Sequence, residues 1–153
     1  MEKAELYALG ADTWVCETGL HFTTPVVLEA HVVTGGAFCC PAGSLLDGDV
    51  KAAGSISVGA GSVARGNLLA GGDLILGPGA VFQREVRSRQ RIRFCAGVRG
   101  LRREGPVEVW AAGELVLEDG VTIRGSLSSG CRVVAGRAAV PAGGGAAAAG
   151  AGR

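Results

Sequence analysis

The sequence predicts an all-β fold: a single-stranded, right-handed parallel β-helix of triangular cross-section, with about seven rungs of about eighteen residues each. Three observations lead there. Aliphatic residues recur at intervals of eighteen, as in Ile56, Leu74 and Ile92, or Val58, Leu76 and Phe94. The 153 residues include 27 glycines without the strict triplet of collagen, and a helix interior loses about 1 kcal/mol for each glycine set against alanine. No stretch has the helical periodicity that an alternating α/β fold would need. A right hand agrees with the general preference of parallel crossover connections.

The columns extend from that start. Val50, Leu68 and Val86 form one and lead back to Val32 and Trp14; Phe38 with Cys40, then Leu20 with Phe22, precede Ile56 with Val58. A further column, Leu9, Val27, Leu45, Val63 and Val81, is expected to point inward like the others. Pairs two residues apart, such as Ile56/Val58 and Leu115/Leu117, have the spacing of a strand with one inward side. Glycine belongs at the corners between strands, where a Cβ would obstruct the chain. The register breaks once. Five extra residues within 98–107 restore it, so that Val109, Leu115, Leu127, Val133 and Val140 fall into the same slots, while Val121/Ile123 straddle theirs. A loop is expected to protrude there. The division expected is an N-terminal segment over 1–8 that could cap the helix, the β-helix over 9–140, and a disordered Ala/Gly-rich tail over 141–153.

Composition narrows the function. Hydrophobic residues make up 48% and aromatics 5%, so the core is built from small aliphatic side chains. A net charge of +1 gives no global attraction to nucleic acid or membrane. The early acids and lack of an apolar run in "MEKAELYALGADTW" do not read as a secretory signal. A cytoplasmic location is expected, with membrane association left open. Five cysteines without a CxxC pair read as reduced, mostly buried small hydrophobes. With only His21 and His31 available, no metal, cofactor or catalytic residue is expected. Hexapeptide-repeat enzymes of β-helical form rely on histidines and on a strict period of six, which the uneven spacing here lacks.

The stretch "LLDGDVKAAGSISVGAGSVARGNLLAGGDLILGPGAVF" (45–82), with the corner pattern of "LDGDV", "VARGNL" and "TIRGSL", resembles the bactofilins, bacterial polymer-forming cytoskeletal proteins. The resemblance implies a right-handed β-helix that assembles end to end into filaments without nucleotide. Where the next corner glycine belongs, Arg84 stands.

Two surfaces are candidates for function. The ends of a solenoid expose strand edges and a layer of core, so they take either a cap or a partner. Trp14, Leu20 and Phe22 belong to the first rung, and Val133 and Val140 to the last. Stacking these ends between copies would make a homopolymer, its sides free for client proteins or a membrane surface. The second candidate is "REVRSRQRIRFCAGVRGLRR" (84–103), eight arginines with one acid. Arg87, Arg89, Arg91 and Arg93 should point outward, and Arg99, Arg102 and Arg103 add to them at the inserted loop. This would make a basic face for an anionic partner: a membrane surface, an acidic protein or, ranked last, nucleic acid. A plainer account is a charge ladder, since steps of one rung join Asp73, Arg91, Glu114 and Arg132.

Overall fold

Short strands, most of two to four residues, joined by corners that carry glycine, wind around one apolar core. The structure, a computed structural model, describes residues 6–8, 13–136 and 140–142. Among these there is no helix, and the chain makes about seven turns through three parallel sheets. The first sheet runs from Thr13–Cys16 through His31–Thr34, Val50–Ala52, Leu68–Ala70, Glu85–Ser88 and Val107–Ala111 into Thr122–Ser129. The second stacks Leu20–His21, Phe38–Cys40, Ile56–Val58, Leu74–Leu76, Ile92–Phe94, Leu115–Leu117 and Val133–Ala135. The third begins at Val27–Leu28 and ends at Val140–Ala142.

Registers follow the eighteen-residue period. Leu74 sits between Ile56 and Ile92, and Leu68 between Val50 and Val86. From Arg99 to Thr122 and from Val86 to Val109 the step is instead 23, which confines the five extra residues to 101–106, between Gly100 and Val107. The break lies inside the predicted window.

Glycines serve two separate ends. Gly43, Gly61, Gly79, Gly97 and Gly120 form a column at the turn between the second and third sheets, all with φ between 66° and 78°. That left-handed backbone favours glycine although most of these positions face open space. At the corner between the third and first sheets, a Cβ on Gly48 would run into the carbonyl of Ala30, and one on Gly66 into that of Gly48. The rungs approach too closely there for side chains in line. Arg84 takes the next place in this column, its side chain exposed.

Corner amides are satisfied by a ladder of side chains from the rung before. The Asp49 N–H donates to Nδ1 of His31 (2.9 Å), the Asn67 N–H to Oδ1 of Asp49 (2.8 Å), and the Glu85 N–H to Oδ1 of Asn67 (3.0 Å). A second ladder lies inside. The Val26 N–H donates to Oγ of Ser44 and the Ser44 N–H to Oγ of buried Ser62. Both hydroxyls donate onward to the Pro41 carbonyl. Buried polar groups stay only where they are paired in this way.

Three expectations need correction. The column Val27, Leu45, Val63 and Val81 pairs in the predicted register but points outward; the inward residues of the third sheet are Leu46, Ala64 and Phe82, with Ser44, Ser62 and Ala80 two positions earlier. Val121 and Ile123 are therefore the inward pair of that sheet and not a departure, with Thr122 outward between them. Pro141 and Ala142 still pair with Ile123 and Arg124, so the strand reaches into the stretch expected to be tail. At the other end, Leu6–Ala8 doubles back antiparallel on Thr13–Cys16, pairing Tyr7 with Val15, so these three residues lie along the edge of the first rung. Leu9 and residues 143–153 lie outside the described residues.

Candidate functional site

The two ends of the solenoid differ. At the first rung Leu6–Ala8 occupies the edge of the first sheet, while among the described residues nothing pairs with the outer edges of Leu20–His21 and Val27–Leu28. At the last rung the outer edges of 125–129 and Val133–Ala135 are likewise unpaired among the described residues. The five residues expected at the ends are not equivalent. Trp14 belongs to the inward column of Val32 and Val50 yet is 41% exposed, with only the short strand Leu6–Ala8 on its outer edge, where Ala8 stands opposite it. Leu20 and Val133 are buried, with 2% and 6% exposure. Phe22 is half-buried, its ring edge-on to Phe38 with centroids 6.2 Å apart. Val140 lies in a paired strand, its side chain outside the description.

The arginine stretch does not form one face. Eighteen residues are a full circuit, so twenty consecutive residues make a girdle. Arg87 stands on the outer side of the first sheet, 5.2 Å from the Trp110 ring and 2.8 Å from the Glu85 carboxylate. Arg89 lies at the next corner, Arg91 at the start of the second sheet, Arg93 on its outer side and Arg99 on the outer side of the third. All are exposed. The charge ladder is built in part. Arg132 donates to Glu114 at 2.6 Å, but Asp73 receives the backbone N–H of Arg91 and not its guanidinium. Arg93 pairs with Glu118, two residues beyond Val116, its register partner across the insertion. That carboxylate raises the Arg93 pKa further above its ordinary value.

Arg102 and Arg103 instead rise on the inserted loop beside Arg84. With Arg65, Asp47 and Asp49 they line a hollow of about 590 Å³ at the corner between the third and first sheets. Linear reading missed Arg84 as a member of this group. The signal was present, since Arg84 and Arg102 are eighteen residues apart and so fall in adjacent rungs. A second hollow, about 480 Å³, lies on the outer side of the first sheet among Val33, Leu69, Trp110, Lys51 and Arg87.

Neither histidine joins such a group with the other. His21 faces outward on the second sheet and His31 belongs to the corner ladder. Because Nδ1 of His31 accepts the Asp49 amide, its proton sits on Nε2, and the Asp49 carboxylate 3.6 Å away is not an ion-pair partner in that state. Among the described residues no three His, Cys, Asp or Glu side chains are placed to share a metal ion. All five cysteines are free thiols; Cys16 and Cys40 are buried, Cys39 and Cys95 half-buried and Cys131 exposed. Burial pushes the Cys40 thiol pKa up, which keeps it protonated and unreactive. No helix of the described residues is long and apolar enough to cross a membrane. Comparison with protein-family models, curated proteins and solved structures found no match.

Proposed function

We propose that this chain is a structural subunit of the bactofilin type, which assembles end to end into a cytoplasmic polymer or scaffold and acts by steric organisation, not catalysis. The observation that carries this reading is the pair of strand edges at each end that are unpaired among the described residues: 20–21 and 27–28 at the first rung, 125–129 and 133–135 at the last. An unpaired edge presents backbone donors and acceptors that a second chain can complete, and stacking of such ends leads to an open filament. The exposed indole of Trp14, aligned with the core column above it, supplies the apolar part of the contact. The sides remain free for clients.

Negative-stain electron microscopy with sedimentation at low and high salt tests the proposal. Filaments or large assemblies that persist at high salt are expected, because apolar contacts are not screened. Trp14→Glu should reduce these to small discrete species with an unchanged circular dichroism spectrum. A parent protein that stays monomeric in both conditions would overturn the reading.

A further inference from the structure

We propose that the hollow beside the inserted loop is a binding site for a phosphate-bearing ligand. The argument starts from the single break in the repeat. Five residues added at 101–106 project from a corner that elsewhere closes within three residues. They form one wall of the hollow, and the corners at Gly48 and Gly66 form the other. Loops that depart from a rigid repetitive frame are where binding groups are commonly carried.

The charges along the hollow are sorted by height. At its lower end each acid has a local partner: Asp47 lies 3.7 Å from Arg65, and Asp49 accepts the Asn67 amide. At its upper end Arg84, Arg102 and Arg103 are all exposed and have no ion pair among the described residues. Glu104 shares the hollow, and Glu108 lines a smaller one with Arg84 and Arg102, but neither forms an ion pair with them. Glu85, also nearby, is engaged by Arg87. The hollow as a whole holds four arginines against the acids Asp47, Asp49 and Glu104, and its positive excess is gathered at the upper end, where three guanidinium groups stand beside the single carboxylate of Glu104. A phosphate ester or diphosphate offers several oxygens to planar, forked donors that favour bidentate contact. A hollow of about 590 Å³ admits a group of that size.

The site lies on the side of the solenoid, so it stands or falls apart from assembly at the ends. Two probes distinguish the source of the phosphate. One is inorganic pyrophosphate in a calorimetric titration. The other is cosedimentation with phosphatidylglycerol vesicles against phosphatidylcholine vesicles. The parent protein is compared with the triple variant Arg84→Gln/Arg102→Gln/Arg103→Gln and with a deletion of residues 102–106, which restores the eighteen-residue step. An equal loss of charge elsewhere on the girdle, Arg89→Gln/Arg91→Gln/Arg99→Gln, is the control. The replaced side chains are exposed, and circular dichroism checks each fold.

Saturable binding that falls about tenfold or more in the triple variant and the deletion, and stays within about twofold in the control, is expected. Binding of pyrophosphate supports a soluble phosphate ester, and binding of the anionic vesicles alone supports a lipid headgroup. Equal weakening in the control, or no saturable binding of either probe, would overturn the site.

Discussion

The second and third sheets enclose the same core by different means. Along the second, every central rung places two apolar side chains inward: Ile56/Val58, Leu74/Leu76, Ile92/Phe94 and Leu115/Leu117, each 2% exposed or less. Along the third the inward pair changes character from rung to rung, through Ser44/Leu46, Ser62/Ala64, Ala80/Phe82, Val98/Gly100 and Val121/Ile123. Volume there is balanced between neighbours. The Phe82 ring occupies the space above its own rung, so that a Cβ on Gly100 would collide with it, and it packs against Phe94 with centroids 5.1 Å apart. The second sheet is filled by repetition, the third by compensation. A period alone therefore describes the second sheet well and the third poorly, because compensation uses serine, alanine and glycine, which carry no hydrophobic signal.

The largest effect is expected where repetition is strictest. Leu74 is fully buried in the middle of the second sheet, held between Ile56 and Ile92. Leu74→Ala should cost about 2–5 kcal/mol in a denaturant unfolding experiment, the sum of lost transfer energy and an unfilled cavity. A loss below about 1 kcal/mol would mean that the stacked column can collapse onto the gap, and the contrast between the sheets would lose its basis.

An intermediate effect is expected in the third sheet, at a polar group. Ser62→Ala removes the hydroxyl that receives the buried Ser44 amide at 3.0 Å. Alanine fits the slot one rung on, because the Ser62 N–H that a hydroxyl at position 80 would receive donates instead to the Gly59 carbonyl (3.3 Å). At position 62 the same residue strands the Ser44 N–H, at a cost of about 1–3 kcal/mol. Amide hydrogen exchange localises the effect: Ser44 should exchange faster than the amides of the second sheet. Unchanged protection would show that Ser44 finds another acceptor.

How much of this was legible in the sequence depends on the sheet. For the second, the pairs Ile56/Val58 and Leu74/Leu76 state the pairing, the register and the inward side together, and the single insertion is located to within a few residues. For the third, adjacent positions are both apolar, as in Leu45–Leu46 and Val81–Phe82, so the period states the pairing but not which residue faces in. The deciding residues were Ser44 and Ser62, polar groups whose burial follows from a ladder that exists only once the rungs are stacked. The arginines show the same limit. Eight of them lie within 84–103, yet winding carries them around all three sides, and only those about a full rung apart, Arg84 with Arg102 and Arg103, come to one place. Proximity in a solenoid is counted by rungs.

The smallest effect separates the two sheets most directly. Val63→Thr exchanges a methyl for a hydroxyl at constant shape and keeps the β-branched side chain that suits a strand. Were position 63 inward, as the apolar period implies, the unpartnered hydroxyl would cost about 1–3 kcal/mol. Val63 is instead half-exposed on the outer side of the third sheet, between Leu45 and Val81, and the inward place belongs to Ala64. The change in stability should then fall within about 0.5 kcal/mol. Measured beside Leu74→Ala in the same denaturant series, a near-zero value places the apolar stripe of the third sheet outside the core. A loss of more than 1 kcal/mol would put Val63 back inside, and with it the whole outward column through Val27.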